Sequence, residues 1–225
     1  MKIALIGNGK TGIKVSEILA NSEREKVTIF NLENPPTASL LQAHDVVISF
    51  VPGDVFIKMI PMLIESKTPV VTGSTGFEWP TDLDQQLKSH KLKWIHGGNF
   101  SLGMTIICNM IKELSKAQKI FSDYDFHLSE THHVHKKDAP SGTAILWKKW
   151  LNAEIGEIES KREGDVVGIH QIELNAHSER ITLKHEAQDR KIFAQGAIWA
   201  ARKLVSMNKS GLFEFEDVIK TVLSE

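Results

Sequence analysis

The chain has 225 residues, of which 41% are hydrophobic and 24% charged, and its formal net charge is -1. That apolar content is ordinary for a globular protein, and the length allows one large domain or two small ones sharing a core. The balanced charge gives no field toward nucleic acid or a membrane surface, no apolar run reaches bilayer length, and the apolar start before Gly7 is too short for a signal peptide to be expected.

Residues 2–6 read as a buried strand, followed at once by Gly7-Asn8-Gly9-Lys10-Thr11-Gly12 and a helical period over 13–20. Strand, Gly-X-Gly-X-X-Gly and helix in that order form a dinucleotide-binding pattern. The glycines allow a tight turn and let a pyrophosphate approach the helix N-terminus. A purely structural glycine turn is the plainer reading. Gly9-Lys10-Thr11 also imitates the end of a triphosphate-binding P-loop, but that motif needs a glycine where Ala4 stands. A second strand covers 27–30. Asn31 follows it, at the place where a carboxylate would bind the ribose 2′-hydroxyl of NAD, and no arginine nearby favours a 2′-phosphate. The expected cofactor is therefore NADPH or NADH without a choice between them.

Strands are expected at 45–50, 69–72 and 92–96, with a helix over 55–64. Glycine-rich segments follow two of these strands: Gly73-Ser74-Thr75-Gly76-Phe77 and Gly97-Gly98-Asn99-Phe100-Ser101-Leu102-Gly103. Strands alternating with helices imply a parallel sheet whose ligands sit at the C-terminal strand ends, where these glycines fall. Residues 104–120 read as a helix. It carries Cys108, the single cysteine, in an apolar run, so a buried inert thiol and a reducing, cytoplasmic location are expected.

Residues 124–129 alternate with period two and read as a strand. The run Glu130-Thr131-His132-His133-Val134-His135-Lys136-Lys137-Asp138-Ala139-Pro140-Ser141-Gly142-Thr143-Ala144 follows, then a helical pattern to residue 151. Pro140 is expected to stop the strand and Ser141 to cap the helix. The backbone N–H groups of Gly142 and Thr143 are then left to hold an anion, with Lys136 and Lys137 beside them. This suits a carboxylate- or phosphate-bearing substrate and a histidine placed to move a proton. His133 and His135 on one strand face could bind zinc, but two adjacent lysines oppose a dication, so no metal is expected. A solvated basic loop would not need so ordered a lead into a helix. Beyond it, 165–174 and 180–187 read as one-face-polar strands of an antiparallel or mixed sheet, and 191–207 as a helix.

The run from Glu130 to Ala144 resembles, without gaps, the signature of the 4-hydroxy-tetrahydrodipicolinate reductases (dihydrodipicolinate reductases) of bacterial lysine and diaminopimelate biosynthesis. Gly73-Ser74-Thr75-Gly76-Phe77 is similar to that family's nicotinamide loop, and Asn99-Phe100-Ser101-Leu102-Gly103 to the segment where its chain leaves the nucleotide domain. Gly164-Asp165-Val166-Val167-Gly168-Ile169-His170 and Arg190-X-X-Phe193-Ala194-X-Gly196-Ala197 also resemble family segments, so the resemblance spans most of the chain. The chain departs at Asn31, where many relatives are acidic, and in a short link between the second and third strands.

The resemblance implies an α/β fold: a Rossmann-like parallel-sheet nucleotide domain, 1–102 plus 190–225, with an inserted α+β domain of mixed sheet, 103–189, for substrate binding and oligomerisation. It implies NAD(P)H-dependent reduction of a small cyclic dicarboxylate, 4-hydroxy-tetrahydrodipicolinate, to tetrahydrodipicolinate, in a homotetramer. By register, His132 is the general acid, and Lys136 pairs with a substrate carboxylate and is a second candidate for proton donation. His133 lines the site, while Ser141, Gly142 and Thr143 hold the other carboxylate. The implied cofactor contacts are Gly7, Asn8, Gly9, Lys10, Thr11, Gly12, Asn31, Gly73, Ser74, Thr75, Asn99 and Phe100. Preferring His132 over its neighbours, and Lys136 over Lys137, rests on register. Two other readings stay open. One is a non-catalytic dinucleotide sensor, which needs the glycines but not His132. The other is a different dehydrogenase of the same fold; its aldehyde-oxidising form would want a reactive cysteine in a cleft.

Overall fold

The computed structural model describes residues 1–189 and 191–224; Arg190, expected near a hinge, lies outside them. The chain forms two compact units, Met1–Leu102 with Lys191–Glu225, and Gly103–Arg190.

The first unit is built on a six-stranded parallel sheet of β1 (Lys2–Ile6), β2 (Lys26–Phe30), β3 (Val46–Ser49), β4 (Val70–Thr72), β5 (Lys93–His96) and β10 (Gly211–Glu214). Their order across the sheet is β10-β5-β4-β3-β1-β2. All four residues of β3 and all three of β4 are buried, as expected of strands covered on both faces. One face packs α1 (Lys10–Ala20), α7 (Lys191–Ser206) and α8 (Phe215–Leu223) through Val15, Leu19, Ala197, Ala201 and Val218. The other packs α2 (Ala38–Gln42), α3 (Gly53–Glu65) and α4 (Leu83–Ser89) through Leu41, Phe56, Leu63 and Leu87. The chain leaves β1 for one side of the sheet to make β2, then crosses to the other side to make β3. The crevice of this Rossmann-like sheet therefore opens between the C-terminal ends of β1 and β3.

The second unit holds α5 (Leu102–Leu114), β6 (Tyr124–His132), α6 (Gly142–Leu151), β7 (Glu159–Arg162), β8 (Gly168–Ala176) and β9 (Arg180–Ala187). Its sheet is mixed, in the order β7-β6-β8-β9, with β6 parallel to β7 and the other pairs antiparallel. Alternate residues of β6 and β8, including Phe126, Leu128, Ile172 and Leu174, pack against Ile107, Ile111, Trp147 and Leu151 of the two helices.

Several expectations need correction. The helix over 104–120 stops at Leu114 and continues as a 3-10 turn, Ser115–Lys119. The strand expected from 165 begins at Gly168. The strand of the signature run ends at His132, well before Pro140, because the chain there turns through 134–135. His133 and His135 are consequently not alternate residues of a strand, which removes the geometric basis for the zinc reading. Elements α2, α4, α8, β7 and β10 had no expectation. They are short, and β7, Glu-Ser-Lys-Arg, is a polar edge strand without hydrophobic alternation.

Candidate active site

In the first unit, β1 is followed by Gly7, whose φ of +98° disfavours any residue with a side chain. The Gly7 N–H donates to the Phe30 carbonyl (3.0 Å), tying the turn to the end of β2. A Cβ on Gly12 would lie 2.1 Å from the Gly7 carbonyl oxygen, so the first and third glycines of the motif close on each other. A Cβ on Gly9, by contrast, would meet nothing within 4 Å. The space before it is a cavity of about 220 Å³ lined by Gly9, Lys10 and Thr11 after β1, Phe50, Val51 and Pro52 after β3, and Gly73 and Thr75 after β4. This is the sheet's switch point. Helix α1 starts there with no side-chain cap and no acidic residue in its first turn, so its N–H groups and positive dipole end are left for an anion. These residues fit the pyrophosphate of a dinucleotide.

The other expected cofactor residues fare unevenly. Asn31 Oδ1 accepts from the N–H groups of Glu33 and Asn34, both at 2.9 Å, so its amide nitrogen is the end left to address a ribose. Ser74 is buried, and its hydroxyl has no partner among the described residues. Asn99 Oδ1 accepts from the Ser101 N–H at 2.8 Å. Phe100 is a core residue, 2% exposed, its ring 4.6 Å from that of Phe215, so only its main chain remains to meet a nucleotide.

In the second unit, period two on β6 sends Glu130 and His132 to the same buried side, 1% and 8% exposed. Glu130 Oε2 accepts from His132 Nδ1. Its Oε1 accepts from Arg162 Nη1 at 2.9 Å and from the Ser141 N–H at 3.3 Å. With Nδ1–H committed to the carboxylate, Nε2 is the nitrogen of His132 left to take up or give a proton. The strand opposite makes room for it: a Cβ on Gly168 would stand 3.0 Å from Nε2. His170, also on β8, sets its ring against His132 (centroids 5.0 Å apart, 74° between planes) and places Nε2 3.0 Å from Ser141 Oγ.

The charges follow from this packing. Burial opposes ionisation of Glu130, but the hydrogen bonds from Arg162 and His132 outweigh it and hold the carboxyl below its usual range. Burial lowers His132, partly offset by the Glu130 hydrogen bond and charge. Burial, reinforced by His132, pushes His170 down to about 4. Glu130, His132 and His170 bring possible metal-ligand atoms within 4.8 Å of one another. Both Glu130 oxygens are already engaged, however, and a dication would face Arg162 and Lys136, so the set fits a hydrogen-bonded acid better than a metal centre.

After the turn, Lys136 Nζ pairs with Asp138 Oδ1 at 2.8 Å, and its side chain is only 24% exposed. Lys137 is exposed. Ser141 caps α6, its hydroxyl accepting from the Ala144 N–H (3.2 Å), so that hydroxyl is already used within the chain. Gly142 and Thr143 open the helix with their side facing outward, exposed and half-buried respectively. The Asp138 carboxyl is held below its usual range by the Lys136 hydrogen bond and, more weakly, by the Gly142 backbone N–H. A carboxylate of the chain itself thus rests on Lys136, one of the donors expected to receive substrate. His133 is half-buried beside His135, with ring centroids 6.3 Å apart.

Three residues of this centre had no assigned role in the sequence reading. Glu130 was detectable, since it lies two positions before His132 in an alternating strand. Arg162 and His170 come from β7 and β8, far along the chain, and no local pattern links them to His132.

Residues 103–219 match the family described as "Dihydrodipicolinate reductase, C-terminus". The 4-hydroxy-tetrahydrodipicolinate reductase of Thermosipho africanus (strain TCF52B) is 32% identical over 221 residues, covering 98% of this chain and 98% of that protein. The enzyme of the same description from Bdellovibrio bacteriovorus (strain ATCC 15356 / DSM 50701 / NCIMB 9529 / HD100) is 33% identical over 225 residues, 97% of this chain and 96% of that one. Among solved structures, a dipicolinate-bound dihydrodipicolinate reductase from Paenisporosarcina sp. TG-14 superposes with a TM-score of 0.77 at 21% identity, covering 97% of this chain and 99% of the other, a likeness of fold. With a matching family segment and relatives similar over nearly their whole length, the chain belongs to the 4-hydroxy-tetrahydrodipicolinate (dihydrodipicolinate) reductase family.

Proposed function

We propose that this protein reduces 4-hydroxy-tetrahydrodipicolinate to tetrahydrodipicolinate using NADPH or NADH, as its relatives' names indicate for them. The observation that carries the reading is a buried, oriented imidazole, His132 on Glu130, in the same short run as the carboxylate dock of Lys136 and Gly142. A non-catalytic sensor would have no use for either. Overall, a hydride and a proton are added and the 4-hydroxyl leaves as water. A bound reduced nicotinamide would supply the hydride. Lys136, with the N–H groups of Gly142 and Thr143 and the Thr143 hydroxyl, holds the substrate carboxylates in place of Asp138; Ser141 serves by fixing the start of α6, and His133 borders the site. His132 gives the proton from Nε2, with Glu130 stabilising the imidazolium. A bound dianion raises the proton affinity of His132 and so offsets the lowering by burial.

The nucleotide is assigned to the crevice at Gly7, Asn8, Gly9, Lys10, Thr11 and Gly12, with the loop Gly73, Ser74 and Thr75 beside it and Asn99 and the main chain of Phe100 after β5. The Asn31 amide suits a hydroxyl or a phosphate oxygen equally, which supports use of both nucleotides. Among the described residues no helix is long and apolar enough to cross a membrane, which is consistent with work in the cytoplasm. Strand β9, at the edge of the mixed sheet with Ile181 exposed, supports assembly through that unit, in keeping with a tetramer.

The test is a coupled assay in which a synthase condenses aspartate semialdehyde and pyruvate to 4-hydroxy-tetrahydrodipicolinate, following nucleotide oxidation. His132→Gln lowers kcat by about 10²–10⁴-fold with little change in KM. Lys136→Met raises KM about tenfold or more, the worth of one charge-assisted contact. Lys137→Met is nearly silent. Full activity in all three variants would refute the assignment of this run.

A further inference from the structure

Arg162 takes no part in the reading above, yet its side chain is 19% exposed and reaches the carboxylate of the fully enclosed Glu130. Strand β7 runs parallel to the end of β6, with Arg162 in register with His132. Beyond that pair the backbones stay joined: Glu163 N–H donates to the His132 carbonyl (2.8 Å) and Val134 N–H to the Gly164 carbonyl (3.1 Å). From this platform the guanidinium spreads over four acceptors. Nη1 donates to Glu130 Oε1 at 2.9 Å and to the Lys161 carbonyl at 2.6 Å, Nε donates to the Lys136 carbonyl at 3.4 Å, and Nη2 donates to the Asp138 carbonyl.

We propose that Arg162 is the positioning residue that fixes the proton donor and the carboxylate dock relative to each other, by bonding at once the carboxylate behind His132 and the main chain on both sides of Lys137. The inference rests on the roles proposed for His132 and Lys136. Two physical requirements meet in this side chain. A carboxylate buried as deeply as Glu130 needs a countercharge. The segment 136–138 lies in neither helix nor strand, so no ladder or helix hydrogen bond fixes its main chain, and a donor that holds it in one place has to come from a side chain. One planar guanidinium with five N–H groups meets both; a lysine in its place keeps the charge but cannot span the acceptors.

The charged and titratable groups facing His132 are Glu130 on β6, Arg162 on β7, His170 on β8 with His185 of β9 paired across from it, and Lys136 in the turn. Removing the Arg162 charge raises the proton affinity of the Glu130–His132 pair, which titrates as a unit.

Arg162→Met and Arg162→Lys are made in the full chain and compared with wild type in the coupled assay across pH. Nucleotide binding by calorimetry serves as the check that the first unit is folded. In Arg162→Met, kcat falls about tenfold or more, KM rises by a similar factor, and the alkaline limb of kcat moves to higher pH. In Arg162→Lys the limb stays near that of wild type while KM still rises. An imidazole NMR titration of His132 reads the same shift without turnover, so it decides the matter even if the wild-type chain lacks the proposed activity. An unmoved His132 titration in Arg162→Met overturns the inference. If that variant does not fold, a wild-type KM in Arg162→Lys overturns it instead.

Discussion

Glu130→Gln is the substitution that tests the centre most directly. The side chain is fully enclosed, and its two oxygens meet three donors: His132 Nδ1, Arg162 Nη1 and the Ser141 N–H. A glutamine has almost the same shape but offers one oxygen and one NH2 group. Turned one way, its NH2 faces the N–H donors of Arg162 and Ser141; turned the other, it donates to His132 Nδ1 and fixes the imidazole in the opposite tautomer; in both the guanidinium loses its countercharge. Hydrogen bonds to a charged group contribute about 1.5–3 kcal/mol each. Breaking a buried ion pair from one side costs about 3–5 kcal/mol, and that is the loss of stability expected here. The kinetic effect is separate. Without the anion, His132 is no longer held with Nε2 as the reacting nitrogen, and its imidazolium loses its partner. Removing the orienting carboxylate of an acid–base histidine lowers kcat by about 10⁴ in the best-studied hydrolases, so a loss of about 10²–10⁴ is expected here. Urea unfolding and kcat at saturating substrate, measured on the same preparation, separate the two effects. A folded variant whose kcat stays within about threefold of wild type, under 1 kcal/mol of barrier, would refute the role given to Glu130.

In the first unit, Gly9→Val should leave the thermal midpoint unchanged, since a Cβ there meets nothing, but sharply weaken nucleotide binding. Gly12→Ala should lower both, because its Cβ would stand 2.1 Å from the Gly7 carbonyl; undiminished nucleotide affinity by calorimetry in both variants would remove the cofactor assignment. In the second unit, His170 is pushed down from 6.5 to about 4, so below 6.5 the unfolded chain takes up a proton that the folded chain refuses. The stability it contributes is fully present above pH 6.5 and is lost as pH falls toward 4, amounting to about 3 kcal/mol at 1.36 kcal/mol per pKa unit. Chemical denaturation should show this acid loss, with a shallower slope in His170→Gln; a flat profile between pH 7 and 4.5 would contradict it. Comparing kcat/KM for NADH and NADPH tests the Asn31 reading, and a preference beyond about a thousandfold, roughly 4 kcal/mol, would show a discriminator elsewhere.

Much of this protein was written in short-range patterns. Buried parallel strands are nearly continuous apolar runs, so β1, β3 and β4 stood out, and the glycines after β1 announced a turn that only they permit. The alternation of β6 and the Ser141 cap placed the signature run between a strand and a helix, because both depend on neighbours within a few residues. Edge strand β7 was invisible for the opposite reason: Glu-Ser-Lys-Arg carries no hydrophobic period, and it is a strand only because β6 lies beside it. The same limit applies within the site. Sequence order could name His132 and Lys136 by likeness to a family, but not what makes His132 differ from His133 and His135. That difference is set by burial on the inner face of β6, by Glu130 behind Nδ1, by Arg162 delivered from β7, and by the space that Gly168 leaves on β8. These contacts join residues far apart in the chain, and their energies depend on the exclusion of water, which exists only once the sheet has formed.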